Sequence, residues 1–379
     1  MNIDILHKRP TIKFFSHMAD MSGAPLVLID LALEFKSRYP STPVEFHTYL
    51  PVDQKNHETL TQAGLKLIVH SNRNEQLSFN RGDVLLLNTT AYQANVRESI
   101  FQSLKQNKLK KIIWYIHEDW PQTHFTPEEK VQVSELLESK KLTIYLPALR
   151  ATKNYQEFFN NRQAIITSPF RITVPKSHIG TKSPTDFKKI TFVMTGHPAD
   201  LKGNLPILYA FLFFKNQYYD RSPRSYRDFE FKVVGLEVND FTAERIRSHS
   251  KALGKHFQSY PPVSHEKALE LIKESNVTIS YSIRECLPIS VFEGMLAGHV
   301  LLRNDTSGAE EQLIIGKNGY GLDSNDLMNV VETIERTLNI KKITNEELAS
   351  MSKESYKIAI KQKNDTYEPV FKELLDNFD

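Results

Sequence analysis

The sequence lacks most features that would assign it to a specialised class of protein. Cys286 is the only cysteine among 379 residues, so no internal disulfide can form and a reducing cytoplasm suits the chain. The first ten residues contain no apolar core of signal-peptide length. No run of about 18 apolar residues occurs, since the longest approach, 205–214, ends at Lys215. We predict a cytoplasmic protein without a membrane span, although the aromatic-rich 205–214 segment would allow peripheral contact with the inner face of a membrane.

Charge of one sign is also scarce. The chain has 48 Lys and Arg residues against 45 Asp and Glu residues, a net charge of +3. This balance argues against a protein dedicated to binding nucleic acid. There is no cluster of Cys and His residues with the spacing of a zinc site.

Length and pattern indicate two domains of the α/β class. A chain of 379 residues with 40 % hydrophobic residues can form two ordinary cores. Runs rich in β-branched and apolar residues alternate with runs of helical period, and after an aperiodic stretch rich in Pro, Ser, Thr and Lys the alternation starts afresh. We therefore predict two doubly wound, Rossmann-like domains with parallel sheets. The predicted bounds are 1–170 for the first domain, 171–189 for a linker, 190–343 for the second domain and 344–379 for C-terminal helices.

The most informative stretch is 277–299, which predicts a strand, a loop and a helix. Val277 to Tyr281 are β-branched or aromatic in the main and indicate a buried strand. Pro288 suits the first turn of a helix. Gly298 would end that helix. Apolar residues recur between them at helical spacing, namely Ile289, Phe292, Met295 and Leu296.

This unit contains two carboxylates, Glu285 in the loop and Glu293 in the helix. In a parallel sheet, ligands bind beyond the carboxyl ends of the strands. The helix start at Leu287, Pro288 and Ile289 lies where its free N–H groups, which Pro288 itself lacks, can hold hydroxyl or phosphate oxygens. A carboxylate can accept both hydroxyls of a ribose. A nucleotide sugar offers all of these groups.

The spacing of the two glutamates, followed by LAGHVLLRNDTSGAEE at 296–311, resembles the donor site of the retaining glycosyltransferases of family 4. The resemblance implies the GT-B fold, in which two Rossmann-like domains face each other across a cleft. It further implies that the second domain binds the nucleotide sugar, that the first lies on the acceptor side, and that the final helices return to the first domain.

The start of the second domain, VMTGHPADLKGN, is similar to the family pattern G-R-x4-K-G, in which two cations contact the donor diphosphate. Gly196, Lys202 and Gly203 match this pattern. His197 stands where the family has arginine and carries that charge only when protonated. The resemblance makes Lys202 the candidate that stabilises the charge on the departing diphosphate.

Two further matches lie in the first domain. Ser22 and Gly23 resemble the glycine pair that lets the backbone approach the donor, with serine in place of one glycine. His117 follows the strand at 111–116, where a histidine in similar enzymes contacts the donor sugar. Glu118, Asp119 and Trp120 follow in a loop that could line the acceptor side, and the simpler interpretation of these residues is a solvated loop.

The segment after the next strand, Thr306, Ser307 and Gly308, predicts a helix start with free amides for the diphosphate. Ser307 and Glu310 also have the spacing of a capping box, which is compatible with that role. The sequence GKNGYGL at 316–322 resembles the turn that follows this helix in the family.

The resemblance implies a retaining hexosyl transfer from a nucleotide-diphosphate sugar to a glycan, lipid-linked or protein acceptor, in bacterial-type cell-surface polysaccharide or glycoconjugate synthesis. No cofactor is implied. No Asp-x-Asp motif is present, so we predict no obligatory metal. A glycosidase pair fits less well, because Glu293 recedes along its helix from the loop that carries Glu285. Two alternatives stay open, a catalytically silent GT-B protein that binds a glycan or glycoprotein and supports a partner transferase, and a GT-B sugar-nucleotide epimerase.

Overall fold

A computed structural model describes residues 10–20, 22–170, 172–196, 201–237, 241–364 and 367–378. The chain divides into two compact units. The first unit comprises Met1–Thr173 and Asp365–Asp379, and the second comprises Val174–Asn364. Each unit is built on its own parallel sheet.

The first unit contains a seven-stranded sheet with the order β3-β2-β1-β4-β5-β6-β7. All of the strand pairs are parallel. Its strands are β1 Ile12–Ser16, β2 Val44–Tyr49, β3 Lys66–His70, β4 Asp83–Asn88, β5 Leu109–Tyr115, β6 Leu142–Leu146 and β7 Ile165–Thr167. The order reverses between β1 and β4, and the carboxyl ends of strands at such a switch point are where ligands collect in this class of sheet.

Helices connect these strands, except β3 and β4, as the alternating sequence pattern predicts. They are α1 Gly23–Arg38, α2 Gln54–Gln62, α3 Ala94–Lys105, α4 Pro127–Glu138 and α5 Leu149–Phe159. The short helix α4 is well specified locally, because Thr126 and Glu129 form a capping box and Pro127 occupies its first turn.

The second unit contains a six-stranded parallel sheet with the order β10-β9-β8-β11-β12-β13. Its strands are β8 Lys189–Thr195, β9 Asp228–Val234, β10 Phe257–Tyr260, β11 Val277–Ser280, β12 Val300–Asn304 and β13 Gly319–Leu322. Its helices are α6 Asn204–Phe214, α7 Phe241–His249, α8 His265–Lys273, α9 Ile289–Leu296, α10 Ala309–Gln312, α11 Leu327–Leu338 and α12 Asn345–Asn364. Phe211 of α6 stacks on Phe231 at a ring-centroid distance of 4.5 Å, at the centre of an aromatic core. The switch point of this sheet lies between β8 and β11.

The final helix returns to the first unit. This helix, α13 Glu368–Phe378, lies against β4 and β5. Phe371 packs edge-on against Phe35 of α1 at 5.3 Å. Glu373 accepts a hydrogen bond of 2.7 Å from the hydroxyl of Tyr145 and lies 2.9 Å from the ammonium of Lys111.

The predicted fold class, two doubly wound parallel-sheet domains with C-terminal helices on the first, is therefore confirmed, with the correction that α13 belongs to the first unit while α12 belongs to the second. One local interpretation was wrong: the stretch expected to be a turn contains a strand, β13. Its two glycines lower the intrinsic strand propensity, and the pairing of β13 with β12 along four residues overrides it. The buried side chain of Phe187, just before β8, belongs to the core of the second unit.

Within the described ranges, no helix is both long enough and apolar enough to cross a membrane. The helix with the most apolar composition, α6, spans 11 residues and buries Phe211 and Phe214 in the core of the second unit.

Candidate functional site

Lys202 and Gly203 lie at the start of α6, beyond the carboxyl end of β8. Gly203 has φ 69° and precedes the first helical residue. A Cβ atom at this position would lie 2.3 Å from the carbonyl oxygen of Tyr281, so glycine is required both by the backbone conformation and by the close approach to the end of β11. The side chain of Lys202 crosses over Gly196, whose φ is 109°. His197 lies outside the described residues.

The loop after β11 brings Glu285 to this lysine. The ammonium of Lys202 donates to Oε2 of Glu285, and the hydroxyl of Ser282 donates to the same oxygen at 3.3 Å. The two charged side chains retain 26 % and 18 % exposure. The pair is thus neither sealed in the core nor fully solvated, which leaves both groups accessible to a ligand.

Helix α9 carries Glu293 on a largely buried face. Pro288 precedes the first residue of the helix and accepts from the amide of Phe292 at 3.3 Å. The side chain of Glu293 is 5 % exposed, and its Oε1 meets Nε2 of His265 at 2.5 Å. Because His265 is the first residue of α8, this contact ties two helices together at the edge of the sheet where their preceding strands end.

The turn after β12 is held in place by hydrogen bonds from Arg303. Arg303 is 1 % exposed. Its guanidinium donates to the carbonyls of Ser307 and Gly308, at 3.0 and 2.9 Å, and to the hydroxyl of Thr306 at 3.2 Å. Drawing these carbonyls inward fixes the peptide planes of the turn, and therefore the directions of its amides.

The expected capping box on this turn was wrong. The residue before the helix is Gly308, with φ 75°, and no side chain caps the helix. A Cβ atom at Gly308 would lie 2.3 Å from the carbonyl oxygen of Cys286, so the turn packs directly on the loop that carries Glu285. Helix α10 is only four residues long, and any contribution of the turn to anion binding rests on its individual amides.

Among the predicted site residues of the second unit, Lys202, Glu285 and Pro288 come together at one edge of its sheet. A small pocket there is lined by residues from the ends of β8 and β11 and from the start of α9, namely Met194, Thr195, Lys202, Ile279, Ser280, Tyr281, Ser282, Glu285, Pro288 and Ser290. Leu287 is buried against Gly308, and Ile289 begins α9. In the part of the chain that the structure describes, no group of three or more His, Cys, Asp or Glu side chains could hold a metal ion.

The remaining predicted residues lie in the first unit, at the carboxyl ends of β1 and β5. Gly23 begins α1, and Ser22 precedes it. The hydroxyl of Ser22 donates to Oδ1 of Asp20 at 2.5 Å, and its amide donates to the same oxygen at 3.0 Å. This turn is therefore organised by a local aspartate before any ligand is considered.

The environment of His117 defines its charge and its tautomer. Burial lowers the pKa of this histidine to about 4, so the ring is neutral at pH 7. Nε2 of His117 lies 2.8 Å from Oδ1 of Asn88, and the amide nitrogen of Asn88 donates to the carbonyl of Ala24 at 2.9 Å. Since Oδ1 of Asn88 is an acceptor, Nε2 of His117 must carry the proton, and Nδ1 is left as an acceptor.

Glu118, next to this histidine, is a structural residue. Its carboxylate accepts from the hydroxyl of Thr89 and from the amides of Thr90 and His117, the two amide contacts being 3.2 Å long. It therefore joins the ends of β4 and β5, which differs from the expected solvated loop. A carboxylate that accepts backbone amides holds this edge in one conformation.

Four residues of these sites were missed by reasoning from the sequence. They are His265, Ser282 and Arg303 in the second unit and Asn88 in the first. All but Arg303 lie at or just after the end of a strand, or at a helix start, at the ligand-binding edge. That position was the available signal, but no spacing rule links any of them to its partner.

Two family descriptions match consecutive parts of the chain. "Glycosyl-transferase family 4" matches residues 9–170, and "Glycosyl transferases group 1" matches residues 183–358. The chain belongs to the family 4 glycosyltransferases. Enzymes of this family are retaining, metal-independent hexosyltransferases that use nucleotide-sugar donors without a cofactor. This glycosyltransferase therefore transfers a sugar from a nucleotide-sugar donor, and the family predicted from the two glutamates is confirmed.

Solved structures with the GT-B fold resemble this glycosyltransferase along almost its whole length. A glycosyltransferase from Rickettsia africae has a TM-score of 0.71 at 14 % identity, covering 98 % of both chains. HepE from Anabaena in complex with UDP and glucose has a TM-score of 0.70 at 13 % identity, covering 97 % of this chain and 99 % of its own. The pneumococcal O-GlcNAc transferase GtfA in complex with UDP and GlcNAc has a TM-score of 0.66 at 12 % identity, covering 97 % and 100 %. At these identities the likeness establishes the fold, and comparison with curated proteins gives no match.

Proposed function

We propose that this glycosyltransferase uses a UDP-sugar and transfers the hexose to a glycan, lipid-linked or protein acceptor in the synthesis of a cell-surface polysaccharide or glycoconjugate. The observation that carries the proposal is the pairing of Lys202 with Glu285 at the carboxyl edge of the second sheet, with Glu293 on the helix that follows the Glu285 loop. UDP is the nucleotide in the HepE and GtfA structures. GtfA, an O-GlcNAc transferase by name, supports a hydroxyl group as the acceptor.

Glu293 binds the ribose of the donor. A carboxylate offers about four lone-pair positions, so two ribose hydroxyls can donate to it while His265 remains in contact. The residue is 5 % exposed, and contact with the two hydroxyls would give this buried charge further hydrogen bonds.

Lys202 binds the diphosphate. An ammonium group has three N–H donors, of which Glu285 accepts one, so the others are available to phosphate oxygens. The amides of Ser307 and Gly308 assist, together with Gly196, Gly203 and His197, whereas the amide of Thr306 donates to the carbonyl of Asn304 at 3.0 Å. As the bond between the sugar C1 and the phosphate oxygen breaks, charge grows on the diphosphate, and a fixed cation stabilises that state more than the intact donor.

The transfer then follows the mechanism that the family implies. The acceptor hydroxyl oxygen forms a bond to C1 on the face from which the diphosphate departs. Its proton passes to an oxygen of the departing phosphate. The electron pair of the broken C1–O bond stays on UDP. Glu285 lies beside Lys202 and restrains the ammonium, while Leu287, Pro288 and Ile289 shape the donor pocket around them.

The first unit supplies the contacts to the transferred sugar. The free acceptor nitrogen of neutral His117, Nδ1, would receive a hydrogen bond from a sugar hydroxyl. Ser22 and Gly23 place a small turn at the same edge, where a side chain of ordinary size would restrict access. We assign these residues to sugar orientation rather than to proton transfer, because a histidine with a pKa of about 4 is a weak base at pH 7.

The test is heat stabilisation by nucleotides, followed by turnover. UDP at a hundred times its dissociation constant would stabilise the folded protein by about 2.7 kcal/mol, and Glu293→Ala and Lys202→Ala should each lose most of this effect. Lys317→Ala, a substitution of an exposed lysine near β13, is the control. Mass spectrometry of a reaction of a UDP-sugar panel with acceptor glycans then detects a glycosylated product.

Three outcomes would contradict the proposal. If UDP, GDP and ADP all fail to stabilise the protein at millimolar concentration, the proposed donor site is ruled out and a silent accessory protein is favoured. Stabilisation by GDP or ADP alone would keep the site but correct the base. An epimerised nucleotide sugar in the absence of acceptor would replace transfer by epimerisation.

A further inference from the structure

We propose that His265 is a positioning residue of the donor site, which orients the Glu293 carboxylate toward the two ribose hydroxyls and thereby makes the site selective for ribonucleotides. The proposal rests on the proposed role of Glu293 in binding ribose. It assigns a function to a side chain that belongs to no motif in the sequence.

The contact is specific and partly buried. Nε2 of His265 lies 2.5 Å from Oε1 of Glu293, with the two side chains 19 % and 5 % exposed. The histidine comes from α8 and the glutamate from α9, 28 positions later. At this distance the ring nitrogen carries the proton and donates to the carboxylate.

The local structure holds the imidazole in place. His265 is the first residue of α8, and the hydroxyl of Ser264 caps the helix by accepting from the amide of Lys267 at 3.3 Å. The segment before it is anchored by the end of β10, where the carbonyl of Tyr260 accepts from the amides of Gly235 and Leu236 at 3.0 Å. The donor nitrogen is thus delivered from a capped helix rather than from a free loop.

A fixed hydrogen-bond donor matters because the last side-chain torsion of glutamate, χ3, has a broad distribution of angles. A carboxylate that rotates freely meets a ribose diol with both oxygens only part of the time, and it must lose that freedom on binding. With His265 on Oε1, the plane of the carboxylate is set before the ligand arrives. Oε2 and the second lone pair of Oε1 remain for the two hydroxyls.

This arrangement predicts which kinetic constant changes when His265 is replaced. The ribose is remote from the bond that breaks, so its contacts are the same in the ground state and in the transition state. Such uniform binding changes KM and leaves kcat unaltered. The loss should also require the hydroxyls themselves, because orientation of Glu293 has no effect on a nucleotide that cannot donate to it.

The experiment measures the affinity of the full-length protein for UDP, 2′-deoxy-UDP and 3′-deoxy-UDP by titration calorimetry, and KM and kcat with the UDP-sugar. The variants are His265→Ala, His265→Gln and Glu293→Ala, with Lys267→Ala as the matched control. Lys267 lies on the same helix in an exposed ion pair with Glu270. His265→Gln keeps an N–H donor of similar reach, so it serves as the rescue variant and as a second test if the alanine variant folds poorly.

We expect His265→Ala to weaken UDP binding about tenfold and to raise KM in proportion, with kcat within about twofold. Binding of the two deoxynucleotides, each of which keeps one hydroxyl that can donate to Glu293, should weaken by a smaller factor than binding of UDP, about threefold. His265→Gln should recover most of the UDP affinity, and Lys267→Ala should match the wild type.

Other outcomes overturn the proposal at different levels. Equal weakening of UDP and both deoxynucleotides would show a general structural role for His265, and unchanged UDP binding would show none. If Glu293→Ala weakens UDP binding but His265→Ala does not, the positioning role fails and the donor site stands. If the wild type binds no UDP, GDP or ADP, the proposed donor site fails and the positioning role fails with it.

Discussion

Gly203 joins the Lys202 cation to α6 in a backbone conformation that side chains with a Cβ rarely adopt. We expect Gly203→Ala to lower the free energy of unfolding of the second unit by about 2–4 kcal/mol, from left-handed strain and from the contact with the Tyr281 carbonyl. Gly316→Ala is the control, since Gly316 has φ 78° but no atom within 4 Å of an added Cβ. It should cost only about 1–2 kcal/mol. Equal losses in denaturant titrations would show that contact with Tyr281 has no effect.

His117 predicts a pH dependence in the first unit. Its pKa is about 4 in the folded protein and 6.5 in an ordinary environment, so the unfolded chain binds the proton more readily. The stability that depends on neutral His117 is complete above pH 6.5 and is lost as the pH falls toward 4, by up to about 3 kcal/mol.

We expect His117→Gln to show a smaller loss of stability than the wild type between pH 6.5 and 4, measured by denaturant titration at each pH. His57→Gln, which removes an exposed histidine of the same unit, controls for the loss of one side chain. Burial also lowers the pKa of His17 and His47, so the informative quantity is the difference between variants. Identical slopes for the wild type and His117→Gln would contradict the prediction.

At the level of elements, α13 completes the core of the first unit with chain from the far end of the sequence. Val370, Phe371 and Leu374 are buried. Phe371→Ala should therefore cost about 3–5 kcal/mol of stability, read as a lower thermal midpoint by circular dichroism. Lys372→Ala changes an exposed residue of the same helix and should shift the midpoint little. A small effect of Phe371→Ala would mean that α13 contributes little to the fold.

The helices and strands also show which structural features the sequence patterns predict. The alternation of apolar and helical periods predicts nearly all of the strands, because strands buried on both faces consist of continuous apolar residues. The edge strand β13 was missed since Gly319 and Gly321 carry no side chain that would reveal its period. The turn at Ser307 was assigned a capping box from spacing alone, whereas Arg303, reaching from β12, decides its conformation.

For the molecule as a whole, the donor is expected to act on the second unit. UDP should slow hydrogen exchange at the β8–α6 loop, the β11–α9 loop and the turn at 306–308, which carry the proposed contacts. Exchange in β2 and β3 of the first unit should be unchanged. Mass spectrometry with and without UDP measures both, and protection confined to the first unit would place the nucleotide elsewhere.

The sequence by itself determined the class of fold, the family and the two glutamates, because periodicity and short motifs are local properties of the chain. Only the tertiary structure decided the partners of those residues. Lys202 meets Glu285 across 83 positions, His265 meets Glu293 across 28, and Asn88 meets His117 across 29. The order of the strands brings these side chains to one edge of each sheet. Side chains that lie there within hydrogen-bond distance of each other become partners. Neither strand order nor side-chain distance is encoded in the spacing of residues along the chain.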